Sequence, residues 1–300
     1  MDADLTVDLI KATVQIDQPI NETKRMVGTG FLVSVPLGNG QTQVVLVTAA
    51  HVFDKMPAPE VRIGWRVPGA KGSWAYMPSN IVIRSAAGAP TYTQHPTQDI
   101  AVIPVKVPDS IKSQVIPESL LADEGTFESQ RVGAGEEMMT LGYPHGLSAN
   151  IAGFPILRAG RLASYPVSPS ATYPTFLIDL TAVPGNSGGP VFMKGNGKPG
   201  PFAGGFVAGV LIKQVEDENQ RLELGVVTDA VFVRQTIDIM LKAQSTGASP
   251  VPGLKVSPYV PKGTPGGATT DTQDMTGTNN SGTATQAAKP TSGEAAPETN

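Results

Sequence analysis

Cysteine is absent from this chain. No disulfide or thiolate chemistry is therefore available, and stability must come from a packed core that tolerates a reducing compartment. Histidine occurs three times, at positions 51, 95 and 145. That spacing forms no metal-ligand cluster, so neither a metal nor a cofactor is expected. Clusters of Lys and Arg are also missing: 22 basic residues against 26 acidic ones leave a formal charge of −4 with the signs mixed. Nucleic-acid binding, which needs concentrated positive charge, is therefore not expected. No apolar stretch approaches the roughly 20 residues of a membrane span. Met1-Asp2-Ala3-Asp4 is acidic and no hydrophobic leader core follows it. This predicts a cytoplasmic protein, or a periplasmic or secreted one where a leader has been removed.

Turn formers are abundant, with 33 glycines and 27 prolines in 300 residues. Between them lie short apolar runs such as Ile10 to Ile16, Gly30 to Val35, Thr42 to Val47, Ile100 to Val105, Ile156 to Leu162 and Val207 to Ile212. This is an all-β pattern. Two sets of about six such runs predict two closed six-stranded antiparallel barrels, over residues 8–110 and 111–243. The Asp-, Ser- and Glu-rich stretch from Pro108 to Gly135 reads as the crossover between them. Val233, Ile237, Met240 and Leu241 recur at helical spacing and predict a closing helix over about 229–243, capped by Thr228 or Asp229. Residues 246–300 shift to Gly, Pro, Ser, Thr and Ala and predict a disordered tail. Within it, Val256-Ser257-Pro258-Tyr259-Val260-Pro261 is the most apolar stretch and could recruit a protein partner.

The most specific motif is Pro184-Gly185-Asn186-Ser187-Gly188-Gly189-Pro190. A serine set among glycines exposes a hydroxyl beside free backbone N–H groups, the combination acyl transfer needs in a nucleophile and an oxyanion site. The Gly185-Asn186-Ser187 turn is the candidate oxyanion hole, with the N–H groups of Gly185 and Ser187 as donors. A general base must be one of the three histidines. His51 closes the run Gln43 to Ala50, which reads as a buried strand ending in small residues that leave room beside an imidazole. The third member should be a sheltered carboxylate that holds the imidazole tautomer. Asp99 precedes the apolar Ile100-Ala101-Val102-Ile103 and is the best candidate; Asp54, Asp109 and Asp179 are its rivals.

With His51, Asp99 and Ser187 in that order, the chain resembles the trypsin-like serine proteases, in the bacterial HtrA/Deg style, over roughly residues 8–243. Gly28-Thr29-Gly30-Phe31, Val47-Thr48-Ala49-Ala50-His51, Asp99-Ile100-Ala101-Val102, Leu141-Gly142-Tyr143-Pro144 and Val207 to Ile212 carry the likeness with the serine motif. The resemblance implies a serine endopeptidase with its cleft between two barrels and a polypeptide substrate. It also implies a side-chain pocket framed by Thr181, by Leu211-Ile212-Lys213 and by Gly225-Val226. Thr181 brings no acid to attract Lys or Arg, and no histidine stands on the Leu211–Lys213 wall to favour glutamate. A small or medium aliphatic residue is the expected choice. The tail has too few apolar residues to build the PDZ domain that often follows in such proteins. Asn186 stands where zymogen-activated relatives carry an acid, so activation by an inserted N-terminus is not expected. The alternative is a catalytically silent protease-like domain that binds peptides.

Overall fold

The computed structural model describes residues 4–38, 40–112, 114–195, 200, 202–217, 220–247 and 276–278. Apart from Thr246, Gly247 and residues 276–278, the sequence-predicted disordered tail lies outside the described residues, as does its Val256–Pro261 stretch.

The chain opens with a helix, α1 (Leu5–Ala12), where an early strand from Ile10 was expected. Leu5, Leu9 and Ala12 are buried and spaced for one helical face, and the Asp4 carboxylate accepts the Thr6 N–H at 2.9 Å as an N-cap. Only at Thr13 does the chain extend. The first sheet then uses β1 (Thr13–Pro19), β2 (Lys24–Pro36), β3 (Thr42–Thr48), β4 (Glu60–Pro68), β5 (Trp74–Val82), β6 (Thr93–Gln94) and β7 (Ala101–Pro104). A short helix, α2 (Ala50–Lys55), follows β3. The crossover holds β8 (Ile116–Pro117) and α3 (Thr126–Ser129). The second half comprises β9 (Glu137–Gly142), β10 (Ile156–Leu162), β11 (Thr175–Asp179), β12 (Pro190–Lys194), β13 (Gly205–Asp217) and β14 (Gln220–Asp229), then helix α4 (Ala230–Thr246). One more short strand, β15 (Thr276–Thr278), pairs with Lys24 to Met26 of β2.

The protein is mostly β, and its second half is a closed six-stranded barrel in the order β10-β11-β14-β13-β12-β9. The first half differs from the closed barrel expected. It is a nine-stranded sheet running β5-β4-β1-β2-β3-β7-β6, with β8 and β15 both attached to β2, and its ladder does not close among the described residues. Its two edges meet at a turn and not along a ladder: just past β5 the Ile83 carbonyl accepts the Thr91 N–H at 3.0 Å, and Arg84 pairs with Pro90 in an isolated bridge ahead of β6, where proline has no N–H to extend the pairing.

A single apolar cluster runs through both halves, including Phe31, Leu46 and Phe53 from the first and Phe192, Val210 and Ile237 from the second. Arg66 spans the junction. Its buried guanidinium donates to the Tyr143 hydroxyl at 3.0 Å and to the Lys11 carbonyl at 2.6 Å, joining β4, α1 and the loop after β9. Burial lowers the Arg66 pKa, while interaction with Tyr143 and Tyr76 opposes that shift. Helix α4 also bridges the halves, packing on β6 and β7 as well as on β13 and β14. Asp229 caps it, accepting the Val231 N–H at 2.8 Å, and Gly247 ends it in the left-handed region at φ 66°. No helix among the described residues is long and apolar enough to cross a membrane.

Candidate active site

The three sequence-nominated residues come from three places that the fold brings together. β3 ends at Thr48 against β7, and the chain turns at Ala49 into α2, whose first turn carries His51. Asp99 lies in the turn between β6 and β7, beside the same strand pair. Its carboxylate accepts twice from His51: Oδ1 from the backbone N–H at 2.9 Å and Oδ2 from the ring Nδ1 at 2.6 Å. With Nδ1 as donor, Nε2 is left free to accept a proton. Partial burial alone would raise the Asp99 carboxyl. The charge and two hydrogen bonds of His51, with a smaller push from Lys55, outweigh it and hold the group below its ordinary value. The rival Asp54 is engaged elsewhere, accepting from the Tyr92 hydroxyl at 2.7 Å.

Ser187 sits on a turn locked to the first sheet. Thr29 N–H donates to the Ser187 carbonyl at 2.9 Å and the Thr29 hydroxyl to the Gly185 carbonyl at 2.6 Å. Thr48 then holds Thr29, its hydroxyl donating to the Thr29 carbonyl at 2.7 Å. The turn lies so close to β2 that a Cβ on Gly188 would fall 2.0 Å from the Thr29 oxygen. Gly185 has φ +96°, and Asn186 N–H closes a turn onto the Val183 carbonyl at 3.1 Å, a combination that defines a type II turn. The Pro184 carbonyl accepts the His145 N–H at 2.7 Å on one side. In a planar trans peptide the adjoining Gly185 N–H must point the opposite way.

Among the described residues neither the Gly185 nor the Ser187 N–H has a hydrogen-bond partner. Asn186, between them, has its own N–H spent on the turn and its side chain buried against Gly142, so it shapes the candidate oxyanion turn and offers no N–H donor there. His145, at φ 51°, likewise contributes its backbone N–H to the loop that shapes the turn. The Ser187 hydroxyl points at the Ile212 carbonyl, donating to it at 3.0 Å, rather than at His51.

The expected pocket residues fall into two groups. Ile212 touches Ser187 directly, and Lys213 follows it, half-buried and within electrostatic reach of Asp99; burial lowers the Lys213 pKa against that attraction. The side chains of Leu211, Val226 and Ile212 itself are buried in the core, so it is their backbones that can edge a pocket. Gly225 pairs with Ile178 on one side and Gln214 on the other. The Thr181 carbonyl accepts from the Arg158 guanidinium at 2.6 Å. Sequence reading missed Thr29, whose role depends on a partner 156 residues away, although it sits in the Gly-Thr-Gly motif that carried the resemblance. It passed over Arg158 as well, and no local signal marked that residue.

The open sheet, the closed barrel and the junction between them define a trypsin-like peptidase fold with a His, Asp and Ser constellation in the matching order. A family model for the trypsin-like peptidase domain matches residues 28–198, more than half of the chain and all three of these residues. The chain belongs to that family. No curated protein matches it.

Proposed function

We propose that the protein is a serine endopeptidase in which Ser187 is the nucleophile, His51 the general base and Asp99 the group that orients it. The observation that carries this reading is the double acceptance by Asp99 of the His51 N–H and Nδ1, beside a serine turn with two free N–H groups. Catalysis begins when Ser187 turns about its Cα–Cβ bond from the Ile212 carbonyl to His51. That rotation frees the Ile212 carbonyl to accept a substrate N–H. His51 Nε2 takes the hydroxyl proton as Oγ bonds to the scissile carbonyl carbon, and Asp99 steadies the resulting imidazolium. The carbonyl oxygen, now an oxyanion, lies on the Gly185 and Ser187 N–H groups. Collapse breaks the C–N bond, His51 returns the proton to the leaving amine, and an acyl-enzyme remains on Ser187. Water repeats the sequence and releases the acid. Thr181 brings no charge to the side-chain pocket, which favours a small or medium aliphatic residue before the cut.

The direct test is hydrolysis of peptides with such a residue by wild type, Ser187→Ala and His51→Ala. Each substitution should lower kcat by up to about 10⁶-fold, the scale for removing a triad nucleophile or base. Hydrolysis by either variant within about tenfold of wild type would rule out its assigned role. A wild-type protein that folds, binds peptides and cleaves none would instead be a silent binding module.

A further inference from the structure

His95 takes part in none of these steps, yet its ring is the most fully engaged of the three histidines. It is buried and meets the Phe232 ring of α4 edge to face at 5.3 Å. Nε2 lies 3.0 Å from the Gln235 side-chain oxygen, also on α4. Nδ1 accepts two backbone N–H groups, from Thr97 at 3.2 Å and Gln98 at 3.0 Å. A ring nitrogen that accepts two N–H groups carries no proton, so the proton resides on Nε2 and is donated to Gln235. The His95 N–H donates to the Ile100 carbonyl and the Ile100 N–H to the Gln98 carbonyl, each at 2.9 Å. The segment from 95 to 100 is thus wound around His95 Nδ1. Asp99 is the next residue after the two N–H groups that Nδ1 holds.

We propose that His95 is a positioning residue for the reaction: its unprotonated Nδ1 pins the Thr97–Gln98 turn, aims the Asp99 carboxylate at both His51 donors, and through Gln235 makes helix α4 part of the support of the active site. The inference rests on the His51, Asp99 and Ser187 reading above. The Asp99 side chain is one-quarter exposed, so packing alone does not hold its orientation. Protonation of Nδ1 would set an N–H against two others and release the turn. Burial lowers the His95 pKa and the Gln235 hydrogen bond raises it, with the net shift downward. Gln235 and Phe232 face the ring from α4 and Thr97 and Gln98 from its own loop, and no charged side chain among the described residues adds to these influences. The support is complete above the unperturbed histidine pKa of about 6.5 and is lost as pH falls through the lower folded value.

Two substitutions in the full chain separate positioning from bulk packing. In His95→Asn the side-chain oxygen can accept the same two N–H groups but does not titrate in this range; His95→Ala has no acceptor. We expect His95→Ala to lower kcat on the order of 10- to 100-fold, the scale for a misplaced catalytic group, with KM nearly unchanged. His95→Asn should restore most of kcat and reduce the acid limb of the pH profile from a two-proton to a one-proton dependence. The low-field proton resonance of the His51 Nδ1–H···Asp99 bond should weaken in His95→Ala and persist in His95→Asn. Wild-type kcat and an intact resonance in His95→Ala would overturn the proposal, as would equal impairment of both variants. If His95→Ala does not fold, an unchanged two-proton acid limb in His95→Asn overturns it. If wild type and Ser187→Ala are equally inactive the triad reading fails, while the resonance still decides whether His95 positions Asp99.

Discussion

At the residue scale the site turns on counting donors and acceptors. His51 presents two donors to Asp99, its backbone N–H and Nδ1–H, and a carboxylate has an acceptor for each. Asparagine has only one. In Asp99→Asn the amide oxygen would keep one donor and the NH₂ would face the other, leaving a ring that carries its proton on Nε2 and cannot accept one from Ser187. The expected result is a fall in kcat on the order of 10⁴-fold with the fold intact, as for the equivalent change in another serine protease. Steady-state kinetics with thermal melts check it, and a loss under about tenfold would mean that Asp99 is not the orienting group. Local sequence made these residues legible. A glycine-flanked serine, a histidine at a strand end and an acid before an apolar run are short-range signals of exposed, constrained backbone. The direction of the Ser187 hydroxyl was not legible, because the Ile212 carbonyl that receives it lies 25 residues away and depends on barrel register.

At the element scale, periodicity identified α4 through Val233, Ile237, Met240 and Leu241, and its N-cap resolves to Asp229. Its placement across both halves was hidden, because Gln235 and Phe232 meet His95 only after the chain has folded back over more than a hundred residues. The cap has its own pH consequence. Burial pushes the Asp229 carboxyl up to about 7, against the Val231 N–H bond and with the help of neighbouring Glu124. In the unfolded chain the same carboxyl ionises near 3.9, so between those values the unfolded state sheds a proton that the folded state keeps. Stability therefore falls as pH rises from about 4 to about 7, in the limit by about 4 kcal/mol. Asp229→Asn keeps a good capping oxygen and removes this slope. Melts should show the variant several degrees more stable than wild type at pH 8, at about 2–4 °C per kcal/mol, with the gap closing toward pH 4. An equal gap at both pH values would show that Asp229 is not held protonated. The misread element, α1, has apolar residues that fit a strand start as well as a helix face, and only the Asp4 cap and burial at Leu5, Leu9 and Ala12 settle it.

At the scale of the whole molecule, the alternation of apolar runs and turns was enough to predict two β units. Closure of the first unit was not, since among the described residues the consecutive edge strands β5 and β6 are joined by a hydrogen bond from Thr91 to Ile83 and an isolated Arg84–Pro90 bridge, a register detail that apolar patterning does not carry. The proposed catalytic arrangement draws on both halves: the first supplies His51, Asp99 and the Thr29 anchor, the second supplies Ser187 and the Ile212 carbonyl. A fluorophosphonate reacts only with a serine made nucleophilic by its surroundings, so it reports the assembled site independently of substrate choice. The full chain would be treated with such a probe, digested and the modified residue mapped, alongside Ser187→Ala and His51→Ala. Stoichiometric labelling of Ser187, abolished in both variants, is the result this account predicts. Absence of labelling in the folded wild type, or labelling of another residue that persists in Ser187→Ala, would contradict it.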